Sequence, residues 1–543
     1  MAVRTDITGR VRNWGGRVAC VSTKTATTAD RWGVEAVVTL GVSSNGMSGR
    51  KCGGTDEILC GRCGRHRKGI YKAQAEMVCD AAQEVGGGHS SDEGKDNRTC
   101  RSKGPLLEPS FYGRRDRVTA HKAQRTPKEK VRVLQRKLYR AAKAQPQRTF
   151  GVLYDKVCSL EVLWVAWEQV RRNHGAPGID GETVEAIEAK GVEQFLCVLQ
   201  AELLEQRYRP QPVRRVFVPK PDGRQRPLGI PGVKDRVAQA AVRIVIEPVF
   251  EASFRPGSYG FRPKRGARQA IYDIRKWVTY GYDKVIDLDL KSYFDTLDHE
   301  LLMKLVQRRV RDARVLRLIR RWLRAGVMFE GAVTDTVVGA PQGAVISPLL
   351  SNIYLHPLDL YWEQEVRDTK MVRYADDLVV LCRYRPAETY MPKLRAMLAR
   401  LRVTVNEDKT RIAPASAGFD FLGVHFRKQQ TPRGRQFCYC WPSRRSMQRI
   451  RDKIRTLIGR ETRVPLREKT ARLNLVLRGW SAYFSWLNAA RHFRLIDKYV
   501  DYKLRRWLRD KHQRRHRAFW RTPRAFWQKA GLYILEGRIV HQC

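Results

Sequence analysis

Three aspartates in two short segments carry the densest chemistry in the chain. Tyr374-Ala375-Asp376-Asp377 sets two adjacent carboxylates between apolar, β-prone arms, Met371-Val372 and residues 378–381. That pattern predicts a hairpin with the acids at its tip. Adjacent acids repel one another in a turn between buried strands, so a fold that keeps them is expected to neutralise them with divalent cations. A solvated Asx-type turn is the alternative for a bare Asp-Asp pair. Upstream, Val285, Asp287 and Asp289 alternate with Ile286, Leu288 and Leu290, which predicts a strand delivering Asp289 near its end. An acid there, beside an Asp-Asp hairpin, makes a site for two hard metal ions that serve in-line nucleotidyl transfer.

The elements that must position these acids are legible around them. Val131, Leu134 and Leu138 fall on one side of a basic helix, and residues 160–172 form a second that runs into the Gly/Pro tract 173–181. Val216-Phe217-Val218 predicts a strand, Pro221-Asp222-Gly223 a tight turn, and the return strand carries Arg226. Lys220 and Arg226 on such a hairpin can clamp a triphosphate; solvated surface cations are the alternative. A helix follows over 234–250, and amphipathic helices over 300–325, with Asp295 and Asp298 as capping residues before Leu301. Pro341-Gln342-Gly343 breaks the chain, and Ser347-Pro348 opens a helix with proline in its first turn. The Gln342 amide at that entry can reach a nucleotide or a template backbone.

Tyr-Ala-Asp-Asp preceded by Asp289-Leu-Lys-Ser-Tyr-Phe-Asp295 resembles the palm of reverse transcriptases, most closely those encoded by group II introns. Further blocks keep the same order from about residue 170 to 426. The tract 173–181 resembles the family's N-terminal extension. The hairpin at 214–231 and Phe254-Arg-Pro-Gly-Ser-Tyr-Gly-Phe-Arg-Pro263 resemble its fingers, with Arg255 and Arg262 toward template phosphates. Pro341-Gln342-Gly343 matches a family block, although Ala344 stands where a second glycine is common. Asn406-Glu-Asp-Lys-Thr410 resembles the element that closes the palm, with Lys409 near the triphosphate or the acids, and Phe421-Leu422-Gly423 resembles the primer grip. Leu477-Arg-Gly-Trp480 with Tyr483 resembles the maturase domain.

The resemblance implies an α+β right-hand polymerase, fingers and palm, followed by an all-helical basic thumb or maturase domain. It implies catalysis by Asp289, Asp376 and Asp377, with these residues and the Leu290 backbone carbonyl holding two Mg²⁺ ions, or Mn²⁺ in their place; Asp289 and Asp376 are the favoured direct ligands. Lys220, Arg226, Phe294, Gln342 and Lys409 are expected at the nucleotide, where the bulk of Phe294 excludes a 2′-hydroxyl; ordinary core packing is its alternative. Arg478, Arg505 and Arg506 join Arg255 and Arg262 as expected RNA contacts. The implied partners are a group II intron RNA, an RNA template with a DNA primer, deoxynucleoside triphosphates and target DNA; an oligomer is left open. A silent maturase that keeps the palm as a scaffold is one competitor, against which the three acids stand. A defence-type reverse transcriptase is the other, against which the maturase-like region stands.

Composition agrees with a polyanion partner. Of 543 residues, 104 are Lys or Arg and 55 Asp or Glu, a formal net charge of +49, and such a surface demands a polyanion. From Ser443 onward 27 Lys and Arg face 7 Asp and Glu, interleaved with Tyr499, Tyr502 and Trp507, as suits an RNA backbone with exposed bases. Trp480, Tyr483 and Phe484 are expected inside a helical bundle. No run approaches the roughly 18 apolar residues of a spanning helix, and no signal peptide is evident. The expected setting is therefore the cytoplasm or nucleoid of a bacterium, without a membrane partner. The scattered cysteines show no disulfide framework.

The expected domains are a weakly structured extension 1–105, a helical extension 106–185, fingers and palm 186–430 and the thumb 431–543. Cys52, Cys60, Cys63 and His66 have some zinc-ligand spacing, but one Cys-x-x-Cys in a Gly- and Ser-rich segment is expected to bind nothing. In the resembling family the protein normally begins near the next segment, so the resemblance implies an upstream start reading into intron sequence as one expectation for this extension, a native segment being the alternative. After residue 526 the chain carries no paired Cys-x-x-Cys module of the kind that endonuclease-bearing relatives have, and Cys438 and Cys440 on a strand are poor substitutes. The primer is then expected from another source, such as a nascent strand at a replication fork.

Overall fold

The structure is a computed structural model that describes residues 125–219, 223, 225–329, 332–334, 339, 343–512 and 523–540. The expectations for 1–105 and its cysteines, and those for Lys220 and Gln342, lie outside the described residues.

Helix α1 (Pro127–Ala144) starts at a capping box in which Thr126 Oγ1 accepts from the Glu129 amide at 3.3 Å and Glu129 Oε2 accepts from the Thr126 amide at 3.0 Å. It buries Val131, Leu138 and Ala142. Then come α2 (Tyr154–Val157), α3 (Leu160–Arg172), α4 (Val184–Lys190) and α5 (Val192–Leu204). Strands β1 (Val213–Pro219) and β2 (Gln225–Ile230) form the expected hairpin, with Val218 opposite Arg226. Helix α6 (Val233–Glu251) is buried on nearly every side, with Asp235, Arg236 and Gln239 among its buried residues, and lies at the centre of a core. It is followed by α7 (Ala267–Thr279), β3 (Lys284–Leu288), α8 (His299–Gln307) and α9 (Ala313–Arg324). Strands β4 (Val327–Phe329) and β5 (Ala332–Thr334) complete a sheet of order β2-β1-β4-β5.

Next are α10 (Ser347–Glu365), β6 (Thr369–Tyr374), β7 (Asp377–Cys382), α11 (Met391–Arg400) and β8 (Arg411–Pro414). The central sheet runs β6-β7-β3-β8, with every pairing antiparallel. One of its faces, Ile286, Leu288, Leu378 and Val380, belongs to the core built on α1 to α6. The other face, Val285, Val372, Val379 and Leu381, packs in a second core with α7 and the C-terminal helices. Burial on both sides explains why residues 378–381 read as an unbroken apolar run rather than an alternation.

The last sheet is β9 (Phe419–Phe421), β10 (Val424–Gln430) and β11 (Gln436–Pro442). Here the expected all-helical segment 431–543 needs correction. Strand β11 pairs with β10 from Gln436 to Pro442, because Cys438 and Cys440 are buried while Phe437, Tyr439 and Trp441 alternate with them and stay partly exposed, a two-residue period that fits a strand. After Ser443 the described elements are helices: α12 (Arg444–Ile458), α13 (Leu466–Phe484), α14 (Ala490–His512) and α15 (Arg524–Lys529). Trp480 and Phe484 are buried among them, with Tyr483 partly so. Among the described residues no helix is long and apolar enough to cross a membrane.

Candidate active site

In the β6–β7 hairpin Tyr374 pairs with Asp377, leaving Ala375 and Asp376 as a two-residue loop. Ala375 has φ 58°, a left-handed conformation that costs a non-glycine residue about 1–2 kcal/mol. Its surroundings impose it. Arg373, fully buried beneath the turn, makes a two-pronged pair with Asp359 (Nε to Oδ1 2.8 Å, Nη2 to Oδ2 2.5 Å). Its Nη1 donates to Asn352 Oδ1 and to the Ala375 carbonyl, both at 2.9 Å. From behind, the segment 257–260 bridges β6: the Arg373 amide donates to the Gly257 carbonyl and the Tyr259 amide to the Arg373 carbonyl, each at 2.8 Å. A Cβ on Gly260 would stand 2.3 Å from the Ala375 nitrogen, so only glycine fits this approach.

That packing takes Arg262 away from the surface where a template contact was expected, and leaves the expectation for Arg255 open. The Arg262 side chain is 3% exposed, paired with Glu251 at 2.7 Å and donating to the Arg255 and Ser258 carbonyls at 2.6 Å. It holds this segment folded under the hairpin and has no face left for a phosphate. Arg255 is partly exposed and paired with Glu363.

Asp289 lies one residue beyond β3, and the loop before β8 grips it. Its Oδ2 accepts from Asn406 Nδ2 at 2.9 Å and from Lys409 Nζ at 3.2 Å, and its carbonyl accepts from the Asn406 amide at 2.8 Å. Leu290, next along, forms a single bridge with Val405. Lys409 and Asp289 remain partly exposed.

The acids feel one another. Burial raises the Asp376 carboxyl above its usual range and Asp289 adds to that, while Arg226 and Arg373 act against it. Asp377 is pushed up to about 7, by its protein surroundings first and then by Asp376, Asp289 and Asp287. Solvent still reaches Asp377, so the like charges are the part of that shift a bound cation would relieve. Asp287 is raised to about 6, chiefly by burial. An all-oxygen donor set suits a hard divalent ion, so in donor chemistry these residues fit Mg²⁺. Their arrangement is not yet a coordination shell: among the described residues no three His, Cys, Asp or Glu side chains are converged to hold a metal, and the Asp289 carboxylate is turned to Asn406 and Lys409.

Residues 218–426, which contain all three aspartates, match the family described as reverse transcriptase (RNA-dependent DNA polymerase), and 447–526 match the group II intron maturase-specific domain. Protein YkfC of Escherichia coli is 35% identical over 341 residues, covering 55% of this chain and 89% of YkfC. The group II intron-encoded protein LtrA of Lactococcus lactis is 34% identical over 215 residues, 39% of this chain and 35% of LtrA. This chain belongs to the group II intron reverse transcriptase/maturase family. An uncharacterized 91 kDa protein in the cob intron of Schizosaccharomyces pombe is 32% identical over 212 residues, 38% of this chain and 26% of that protein. The chain thus spans most of YkfC but only about a third of LtrA.

In this reverse transcriptase/maturase the neighbouring elements fall as follows. Arg226 is exposed on β2, and its charge acts on both Asp376 and Asp377. Phe294 is partly buried against the first core, edge-on to Tyr293 at 5.2 Å. Asp298 caps α8, its Oδ1 accepting from the Leu301 amide at 2.7 Å. Gly343 has φ 113°, and a Cβ there would stand 2.5 Å from the Gly229 carbonyl of β2. Ala344 is buried at 5% exposure, a place for a small residue.

The turn between β9 and β10 has two left-handed residues, Leu422 (φ 49°) and Gly423 (φ 74°), the pattern of a type I′ hairpin. Tyr483 of α13 donates to the Leu422 carbonyl at 2.9 Å, and Ser446 Oγ of α12 to the Gly423 carbonyl at 2.7 Å. Phe421, Leu422 and Gly423 are thereby tied to the maturase helices. Of the C-terminal arginines, Arg478 is exposed over the Tyr533 ring at 5.4 Å and Arg506 is exposed. Arg505 is 17% exposed and paired with Asp501 at 2.8 Å.

The residues that sequence reasoning missed are Arg373, Asp359, Asn352 and Gly260, all behind the turn. Asn406 stood in a quoted motif without a role. No local signal set Arg373 apart, since β6 carries a second cation, Lys370.

Proposed function

We propose that this protein extends a DNA primer on an RNA template with deoxynucleotides and binds its parent group II intron RNA as a splicing cofactor, so that the intron is spliced and then copied during mobility. The observation that carries the polymerase half is the meeting of Asp289, gripped by Asn406 and Lys409, with a hairpin tip whose two carboxyls are raised by burial first and then by Asp289, with Asp376 adding to the shift of Asp377. Asp289, Asp376, Asp377 and the Leu290 carbonyl would hold two Mg²⁺ ions. These ions supply a more acidic primer 3′-hydroxyl and charge neutralisation at the pyrophosphate.

The chain's own residues do the rest. Arg226, with Lys220, holds the triphosphate by charge-assisted hydrogen bonds, Gln342 contacts the nucleotide or template backbone, and Phe294 under the sugar favours deoxynucleotides. The Leu422-Gly423 turn sets the primer end. As the 3′-oxygen bonds to the α-phosphorus, the bond to the leaving pyrophosphate breaks, and the hydroxyl proton passes to solvent. The exposed cations Arg478 and Arg506 contact intron RNA, and the protein works in the bacterial cytoplasm or nucleoid.

Primer extension on poly-adenosine RNA with an oligo-deoxythymidine primer, Mg²⁺ and dTTP tests this. Product from the wild type and none from Asp376→Ala/Asp377→Ala is expected. A folded wild type that makes no product while binding the intron tightly would leave only the scaffold role.

A further inference from the structure

Away from the acids, the outer face of α7 carries an unusual surface. Its inner face buries Ala267, Ala270, Ile271, Ile274 and Val278. Its outer face sets Arg268, Tyr272, Arg275 and Lys276 at three- and four-residue spacing, so they form one row. Each cation of the row lies over an aromatic ring: Arg268 over Trp486 at 5.1 Å, Arg275 over Phe437 of β11 at 4.9 Å, and Lys276 over Trp277 at 4.6 Å. The row continues past the helix end, where Lys370 covers Trp277 at 5.0 Å and Arg383 covers Tyr282 at 5.6 Å.

Among the described residues none of these five cations has a carboxylate partner, whereas Arg255, Arg262, Arg395 and Arg402 do. Two acids of this region are engaged elsewhere: Asp273 accepts from the Tyr259 hydroxyl, and Asp283 pairs with Lys428 at 2.7 Å. Two rings stay well exposed, Tyr272 at 51% and Tyr280 at 59%. At the N-terminal end of the helix a cleft of about 340 Å³ is lined by Tyr259, Arg265, Arg268, Tyr272 and Trp486, with Gln269 and the Asp273 carboxylate also on its wall, large enough for one small ligand.

We propose that the outer face of α7 is a track for single-stranded nucleic acid, separate from the polymerase cleft. An unpaired base sits in the cleft against Tyr272 and Arg268, and Arg275, Lys276 and Lys370 neutralise the phosphates that follow. The chemistry is complementary. Rings accept any base face, cations without carboxylate partners attract phosphates, and a guanidinium over a ring offers a flat surface that stacks. Thirteen residues of helix give a track about 20 Å long, enough for a few nucleotides. The chain leaves its far end at Thr279 and enters β3 at Lys284, five residues before Asp289, so the start of that strand is roughly 17 Å from the acid. The proposal rests on the RNA-handling reading above only in that the strand comes from nucleic acid the enzyme already engages.

The test is binding of a labelled 12-nucleotide single strand to the full chain, with the polymerase cleft filled by excess unlabelled RNA/DNA hybrid. Arg268→Ala/Arg275→Ala/Lys276→Ala is expected to weaken binding at least about ten-fold and to flatten the log-affinity against log-salt slope by about 2, three phosphates at ~0.7 each. Tyr272→Ala, which removes only an exposed ring, is expected to cost about five-fold or more; it carries the test if the triple variant melts early. Primer extension on a short template stays unchanged in both. RNA and DNA versions of the strand show which of the two the track holds: a preference for RNA assigns the intron or its transcript, and a preference for DNA assigns a displaced target strand. Unchanged affinity and slope in both folded variants would overturn the track and leave α7 as a face for a protein partner. Loss of extension in step with binding would overturn it too, by placing the probe in the cleft. Failure of the polymerase reading shows separately, as a wild type that binds the strand and extends no primer.

Discussion

The two halves of the acid cleft are held in opposite ways. Behind the Asp376-Asp377 hairpin, Arg373 and Asp359 form a pair 0% and 3% exposed, aligned through two contacts and completed by Asn352 and the Ala375 carbonyl. In front, Asp289 is gripped by Lys409 through one contact, the two side chains 35% and 52% exposed. The first pair cannot part without leaving a charge in the core; the second parts at little cost. One cation–carboxylate pair therefore fixes the position of a turn. The other parks a carboxylate that must be free to meet a metal.

The largest expected effect breaks the rigid half. Asp359→Ala strands the Arg373 charge in the interior and is expected to destabilise the fold by about 3–5 kcal/mol, read as a lower denaturant midpoint. Asp289→Ala is its counterpart. With a partly exposed pair removed, stability should move by no more than about 1 kcal/mol, while extension falls by about 10²–10³-fold, the scale for losing one electrostatic contact to a transition state. Equal stability losses in the two variants would erase the distinction.

A milder cut works through the backbone. Gly260→Ala puts a Cβ against the Ala375 nitrogen, so the turn or the 257–260 segment must shift, at about 1–3 kcal/mol. Because a displacement near 1 Å at a reacting group costs about 10²-fold, extension should fall further than stability suggests. Extension that simply tracks the folded fraction would show that the segment supports the fold and does not aim the acids.

Why the sequence showed one half of this arrangement and not the other follows from the kinds of contact involved. The β6–β7 hairpin, β3, α3 and the β1–β2 hairpin were legible because periodicity and turn residues act over a few positions, and Asp289, Asp376 and Asp377 stood in or beside them. Arg373 and Asp359 are fourteen residues apart on different elements, and nothing local marks one as the partner of the other. Arg262 misled for a related reason. A basic residue in a Gly/Pro-rich stretch reads as a surface phosphate contact until the fold supplies Glu251 and two carbonyls to bury it. A strand was legible around Cys438 and Cys440, but the basic run that begins at Arg444 set the character of the whole segment 431–543, so β11 was left inside a domain assigned as all-helical.

The smallest expected effect sharpens the exposed half. In the structure the Lys409 ammonium stands where a cation would approach Asp289 Oδ2, so the two compete for one carboxylate oxygen. Lys409→Met keeps the length of the side chain and removes the charge. Screening by solvent limits the pair to about 1 kcal/mol, or about five-fold in an equilibrium. The Mg²⁺ concentration that half-maximally raises the melting temperature, measured without nucleotide, should fall by up to that factor. Leaving nucleotide out separates this from any contact of Lys409 with the triphosphate, which would appear instead as a higher KM for dTTP. If the Mg²⁺ midpoint rises, Lys409 orients Asp289 for the metal instead of competing with it, and both halves of the cleft are then built to hold still.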